Sequence, residues 1–217
     1  MASIRLNKVR GNAIETAFDL AIGDREFVVL TGPAGSEISA IVRLIAGLED
    51  VSEGEILFDD RKLNDVAAKD RDVAFVASDY VPYPGLTVFE NLAIGLRRKN
   101  FADSEIRKRI ASVAAGLGLE AQLEKNAESL SVEQQRFVAL ARAMVRQPKV
   151  YLFNEPFVGL ESTTARRGRA EIVKLYRRSS ATIVYATTDP SEALAFGERT
   201  VVLIDDVIQQ DGAVQNI

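Results

Sequence analysis

The chain has 217 residues, and 27 basic against 31 acidic side chains leave a formal net charge of −4. At 47 % hydrophobic and 27 % charged it has apolar material for a full core in one ordinary domain, or one with an inserted subdomain, and no compositional case for disorder. The absence of Cys, His and Trp excludes a disulfide framework, thiol nucleophiles, thiolate or imidazole metal sites and Ser-His or Cys-His dyads, leaving carboxylates, Lys, Tyr, Ser and Thr for chemistry.

Residues 1–26 and 54–59 carry short alternating stretches, among them Glu55-Ile56-Leu57-Phe58-Asp59, and predict a peripheral antiparallel sheet. Between them, Phe27-Val28-Val29-Leu30 is a continuous apolar run of the kind buried on both faces, followed by a predicted helix over 39–48. Val73-Ala74-Phe75-Val76 predicts a second buried strand. Residues 86–147 show helical periodicity over 88–96, 104–116 and 132–146, and contain no convincing strand. Strands then resume at 150–153, 182–185 and 200–204, with predicted helices at 162–178 and 191–197. The pattern is α/β, with core segments 1–85 and 148–217 and an inserted helical subdomain over 86–147.

The first buried strand runs into Thr31-Gly32-Pro33-Ala34-Gly35-Ser36-Glu37-Ile38-Ser39-Ala40. Its place, between a strand and an apolar helix, suits a phosphate-binding loop, where glycines let backbone N–H groups converge on an anion at a helix N-terminus. The full pattern requires Gly and then Lys before the Ser. Glu37 and Ile38 hold those two positions.

Further segments follow in order: Leu44-Ile45-Ala46-Gly47-Leu48-Glu49, Tyr83-Pro84-Gly85-Leu86-Thr87-Val88-Phe89-Glu90-Asn91-Leu92, Leu130-Ser131-Val132-Glu133-Gln134-Gln135-Arg136 and Val138-Ala139-Leu140-Ala141-Arg142-Ala143. Together they resemble the nucleotide-binding subunit of an ATP-binding-cassette (ABC) transporter, most like the importers of carbohydrates and similar solutes. The resemblance runs from about residue 2 to residue 212. It implies a P-loop NTPase core of the RecA-like kind, a peripheral antiparallel sheet, an inserted α-helical subdomain and Mg-ATP as cofactor.

Mapped onto this sequence, the resemblance gives each position a role and shows what stands there instead. Residues Gly32, Pro33, Ala34, Gly35, Ser36, Glu37, Ile38, Ser39 and Ala40 form the phosphate loop, and Ile38 takes the place of the lysine that holds the β- and γ-phosphates. Isoleucine has no charge and no donor, while Glu37 brings a carboxylate to a loop that should hold phosphates and is expected to strain a backbone that wants glycine. Ser39, Ser78 and Asn154 occupy the magnesium-site positions. Ser39 is kept, Asn154 replaces an aspartate and Ser78 a glutamine, so metal binding is expected to be weak. Glu155 retains the presumed general base, and Thr188 stands where the family has its switch histidine. The signature reads Ser131, Val132, Glu133 and Gln134, with two glycines lost. Glu161 is a conservative exchange in the neighbouring dimer loop, and Val9-Arg10-Gly11-Asn12 offers no aromatic for adenine.

The resemblance also implies partners: a transmembrane permease docking on the segment from Tyr83 to Leu96, and a second ABC subunit in a homo- or heterodimer. The slightly acidic balance argues against nucleic acid. No apolar run approaches the roughly 20 residues of a membrane span, and Met1 to Arg10 lacks a signal-peptide stretch. The expected place is therefore cytoplasmic, peripheral on the inner face of the membrane. Three functions compete: a pseudo-ATPase with structural or regulatory work in a transporter, binding Mg-ATP weakly or not at all; an active ATPase energising import of a sugar-like solute; and a scaffold outside transport.

Overall fold

The computed structural model describes residues 2–195, 197–205 and 207–213. Strands β1 (Ile4–Gly11) and β2 (Ile14–Ile22) form a hairpin around Asn12 and Ala13; β3 (Phe27–Thr31) is buried throughout and leads through a loop into α1 (Ile38–Ala46). Next come β4 (Val51–Phe58), β5 (Arg61–Lys62) and β6 (Val73–Ala77), then α2 (Val88–Arg98), α3 (Asp103–Leu117) and α4 (Val132–Arg146). The chain continues as β7 (Val150–Asn154), α5 (Ser162–Arg178), β8 (Thr182–Thr187), α6 (Pro190–Ala195), β9 (Arg199–Ile204) and β10 (Val207–Ala213).

Two sheets result, a four-stranded antiparallel one in the order β2-β1-β4-β5 and a six-stranded one in the order β10-β9-β3-β8-β7-β6. In the larger sheet β3 pairs in parallel with β8 and β9, and β7 with β8, while β10 adds an antiparallel edge. The apolar runs that lack alternation are thus the central parallel strands, as burial on both faces requires. Strand β10 is mostly exposed and polar, so its sequence carried no strand signal.

By internal contacts the chain divides into two compact units. The first comprises Met1–Phe75, Pro148–Glu155 and Ser179–Ile217. Its main core packs α1 residues Ile38, Ile41, Leu44 and Ile45 with Val28, Leu30, Leu152, Val184 and Val201 of the large sheet and with Ile4, Leu6 and Ile56 of the small one. Helix α1 stops at Gly47 in the left-handed region (φ 74°), where Leu48 N–H bonds Arg43 O at 2.9 Å and Gly47 N–H bonds Leu44 O at 3.1 Å, a Schellman ending. Buried Arg71 finishes the cap by donating from Nη1 to Leu44 O (2.8 Å) and Ile45 O (3.1 Å). Burial lowers the guanidinium's pKa, which nearby Asp50 partly offsets.

The second unit comprises Val76–Gln147 and Pro156–Arg178, and is built on α2, α3, α4 and α5. Helix α2 opens with a capping box: Glu90 N–H bonds Thr87 Oγ1, and Thr87 N–H bonds Glu90 Oε2 at 2.8 Å. Gly168 of α5 is required by packing, since a Cβ there would penetrate the Phe157 ring.

Candidate nucleotide site

The ends of the parallel strands bring the sequence-predicted positions of the first unit together. Leu30 is level with Ala186, and Asn154 with the same residue, so the loops after β3, β7 and β8 emerge along one carboxyl-terminal edge, the usual ligand edge of an open α/β sheet. Thr31 Oγ1 donates to Thr187 O at 2.8 Å and pins two of these ends. Beyond it, Gly32 is obligatory, because a Cβ would meet the Leu203 carbonyl and lie 2.6 Å from Ser36 Oγ. The turn is closed by Ser36 N–H donating to Pro33 O at 2.9 Å, and Gly35 takes a φ of 91°. Pro33, Ala34 and Gly35 are exposed. The loop geometry is therefore retained, and its Ser36 Oγ is buried without a protein partner.

The two substituted positions behave differently from each other. Glu37 sits at the N-cap of α1 with φ −80° and ψ 17°, a conformation open to any L-residue. The expectation that glutamate strains this loop is thereby corrected: the position does not need glycine's freedom. Its carboxylate makes no cap bond to the helix N-terminus. Ile38, only 1 % exposed, belongs to the apolar core beneath the helix, and Ala40 is buried beside it.

Ser39 Oγ donates to Asn154 Oδ1 at 2.8 Å, so two of the predicted magnesium positions face each other. Ser78 lies just after β6 in the second unit, half-buried in a turn. Glu155 takes a left-handed φ of 49°, sparsely populated for a residue with a Cβ. Both of its ends are tied: its N–H donates to Ala186 O at 2.9 Å and its Oε1 accepts from Thr188 N–H at 2.8 Å. Thr188 thus meets the retained base through its backbone. The next strand end is held by Glu192, 7 % exposed, whose Oε2 accepts from Tyr185 Oη (2.9 Å) and Thr187 Oγ1 (2.8 Å).

Measured against a magnesium-bound triphosphate, this donor set fits poorly. The loop offers backbone N–H groups and one orphaned hydroxyl, but Ile38 supplies no cation and Glu37 adds negative charge. Of the predicted magnesium positions, Ser39 and Asn154 offer a hydroxyl and an amide oxygen that bond each other. Among the described residues no group of three or more His, Cys, Asp or Glu could hold a metal ion.

In the second unit the signature positions form a helix start. Ser131 caps α4: its Oγ accepts from Gln134 N–H at 3.3 Å and its N–H donates to Gln134 Oε1 at 3.2 Å. Val132 is 65 % exposed and Glu133 is half-buried beside it. The segment from Tyr83 to Leu96 is organised around Asn91, whose side chain is fully buried. Asn91 Oδ1 accepts from Tyr83 N–H at 2.7 Å, and its Nδ2 faces the carbonyls of Tyr83, Leu86 and Thr87 at 3.3, 3.4 and 3.0 Å. Asn91, Arg71 and Glu192 were missed in the sequence. Asn91 had a signal: it interrupts the apolar stripe Val88, Leu92 and Leu96 at i+3. Arg71 and Glu192 act through tertiary contacts that leave no spacing pattern.

A glycine-bearing loop between a buried strand and a helix, on a parallel sheet with an added antiparallel sheet and a helical unit, defines a nucleotide-binding cassette of the P-loop NTPase class. The chain belongs to the ABC transporter family, whose sequence model matches residues 16–158. It is 42 % identical over 200 residues to the oligosaccharides import ATP-binding protein MsmX of Bacillus subtilis (strain 168), covering 92 % of this chain and 55 % of that protein. It is 41 % identical over 199 residues to the sn-glycerol-3-phosphate import ATP-binding protein UgpC of Bordetella pertussis, again covering 92 % and 55 %. The dimeric post-hydrolysis structure of the ATP-binding cassette MJ0796, bound to ADP and Pi, superposes with a TM-score of 0.86 at 30 % identity, over 97 % of this chain and 98 % of that one. The chain spans about half the length of the curated relatives it matches. Among the described residues no helix is long and apolar enough to cross a membrane.

Proposed function

We propose that this chain is the cassette subunit of a solute importer of the sugar-handling kind whose own nucleotide site is degenerate, so that its work in the membrane complex is structural or regulatory. The observation that carries this reading is Ile38: at the position of the phosphate-binding lysine stands a side chain packed into the apolar core. Asn154 in place of a metal carboxylate, the carboxylate of Glu37 and the substituted Val132 and Glu133 act in the same direction. Mg-ATP is the family's cofactor, and this chain binds it weakly or not at all. Pairing with a second cassette, identical or different, is the expected assembly. Because both the loop and the signature are altered in one chain, even an intact partner leaves each composite site with one defective half. The Tyr83 to Leu96 segment, whose first turn is tied down by Asn91, is the dock for a permease, and the chain sits peripherally on the inner membrane face.

The competing reading, an active importer ATPase, is favoured by Glu155, whose carboxylate is kept and oriented on Thr188 N–H, and by the names of the relatives. Co-purification from membranes followed by phosphate-release assay separates the two. We expect a permease to co-purify, and the complex to release phosphate no faster than its Glu155→Gln variant. Release that Glu155→Gln abolishes establishes the active enzyme instead.

A further inference from the structure

Helix α4 carries two partly buried arginines that the nucleotide reading does not use, and they differ in their surroundings. Arg136 has the carboxylate of Asp79 nearby, which offsets the cost of its burial. Arg142 has none: among the described residues no carboxylate pairs with it, and the charge it feels is the like charge of Arg146. Its guanidinium lies 4.1 Å from the ring centroid of Tyr80 and 4.3 Å from that of Tyr83, clamped between two aromatic faces. Its Nη1 is nonetheless fully buried without an acceptor, and Tyr80 Oη is buried without a partner as well. Burial, with Arg146 second, brings the guanidinium pKa down to about 10, so the group stays charged at neutral pH.

Ring faces stabilise a cation but accept no N–H in its plane, so the edge of the guanidinium keeps an unmet donor in a place where unmet donors are costly. The cover over it is thin. Tyr83 is 41 % exposed, and Val81, between the two tyrosines in the chain, is 69 % exposed. The whole second unit also carries 16 basic against 10 acidic side chains, a net +6, whereas the first carries 11 against 21, a net −10. The unit that holds this arginine is the one suited to an acidic partner.

We infer that the Tyr80–Arg142–Tyr83 clamp is a receptor for a carboxylate, an Asp or Glu side chain on the protein segment that docks against Val81 and Tyr83. The inference rests on the docking reading above and adds the chemistry of the contact. A planar guanidinium whose faces are taken by aromatics presents only its edge, which selects a bidentate, in-plane acceptor over a neutral one. Entry of the carboxylate requires Tyr83 to swing outward and supplies the acceptor that Arg142 Nη1 lacks.

The test places a photo-cross-linking benzophenone amino acid at Val81 in the full chain, irradiates cells, and sequences the cross-linked peptide. The expected product is a membrane-protein peptide containing Asp or Glu, with a yield that falls at least about tenfold in Arg142→Gln. Arg142→Glu should lose the cross-link too and regain it when the partner's acid is changed to Lys, a rescue that a merely structural role of Arg142 does not produce. A peptide without an acid, an unchanged yield in Arg142→Gln, or failure of the charge swap overturns the inference while leaving the dock intact. A soluble protein captured in its place contradicts the permease reading, yet carboxylate recognition stands if the charge swap restores its yield. No cross-link at all overturns both.

Discussion

The loop edge of the first unit and the Tyr83 to Leu96 segment of the second are the two parts that the proposed function uses for contact, and their side chains are arranged in opposite ways. At the loop edge Gly32, Gly35 and the Ser36 turn set the backbone, while the side chains at the predicted ligand positions lie inward or bond their neighbours: Ile38 in the core, Ser39 on Asn154, Glu155 on Thr188 N–H. In the second segment the internal anchor, Asn91, is complete, and Tyr83, with Val81 two residues before it, is exposed. The strands and loop turns rest on burial and backbone bonds, so the fold does not depend on which side chains stand at the predicted ligand positions.

Replacing Ile38 with Ala has the largest expected effect. If the position now serves packing, Ile38→Ala removes a buried side chain and costs about 2–5 kcal/mol in urea unfolding, with no change in the response to Mg-ATP. A neutral variant would show that the position is not part of the core. Next, Asn91→Ala strips the anchor of four hydrogen bonds from a fully buried site, and a loss of about 2–3 kcal/mol is expected. Hydrogen exchange gives a sharper readout, since the Tyr83 amide should lose protection while the amides of β3 keep theirs. Unchanged Tyr83 protection contradicts the assigned role of Asn91.

Ser131→Ala should cost about 1 kcal/mol, the ordinary value of a helix cap, and Ser131→Asp should restore it, with nucleotide response unaffected in both. An effect of Ser131→Ala on nucleotide binding far beyond its effect on stability would return the signature to a ligand role. The smallest effect is a pH dependence. Glu90 is held below the ordinary carboxylate range, first by its backbone bond at Thr87. A depressed folded pKa contributes stability above the unfolded value, about 4.3, and loses it as pH falls through the lowered one. Acid titration of stability should therefore be shallower in Glu90→Gln than in the parent over that window, and superimposable curves would discard the capping box as a contributor.

Much of the fold was legible because its central strands are continuous apolar runs with turn residues at both ends. Phe27 to Leu30 and Val150 to Phe153 are strands of the buried sheet, and Ser162 to Arg178 is a helix, as periodicity predicts. Strand β10 was not, since an exposed antiparallel edge of Gln, Asp and Gly residues is specified by its neighbour β9 more than by its own pattern. At the candidate site the sequence located the loop but misjudged its mechanics. It assigned strain to Glu37, where φ is −80°, and had no means of seeing that Glu155 carries the left-handed φ of 49° instead. The Arg142 clamp was equally hidden, for Tyr80 and Tyr83 reach it from 62 and 59 residues away in the chain.

On the proposed function the loop keeps its shape but has lost its ligand. Calorimetric titration of the purified chain with Mg-ATP tests it most directly. No saturable heat is expected up to millimolar nucleotide, and no rise in unfolding temperature at the same concentrations, since a ligand that binds only the folded state must raise it. A saturable isotherm with micromolar or better affinity, weakened by Ser39→Ala, would contradict it.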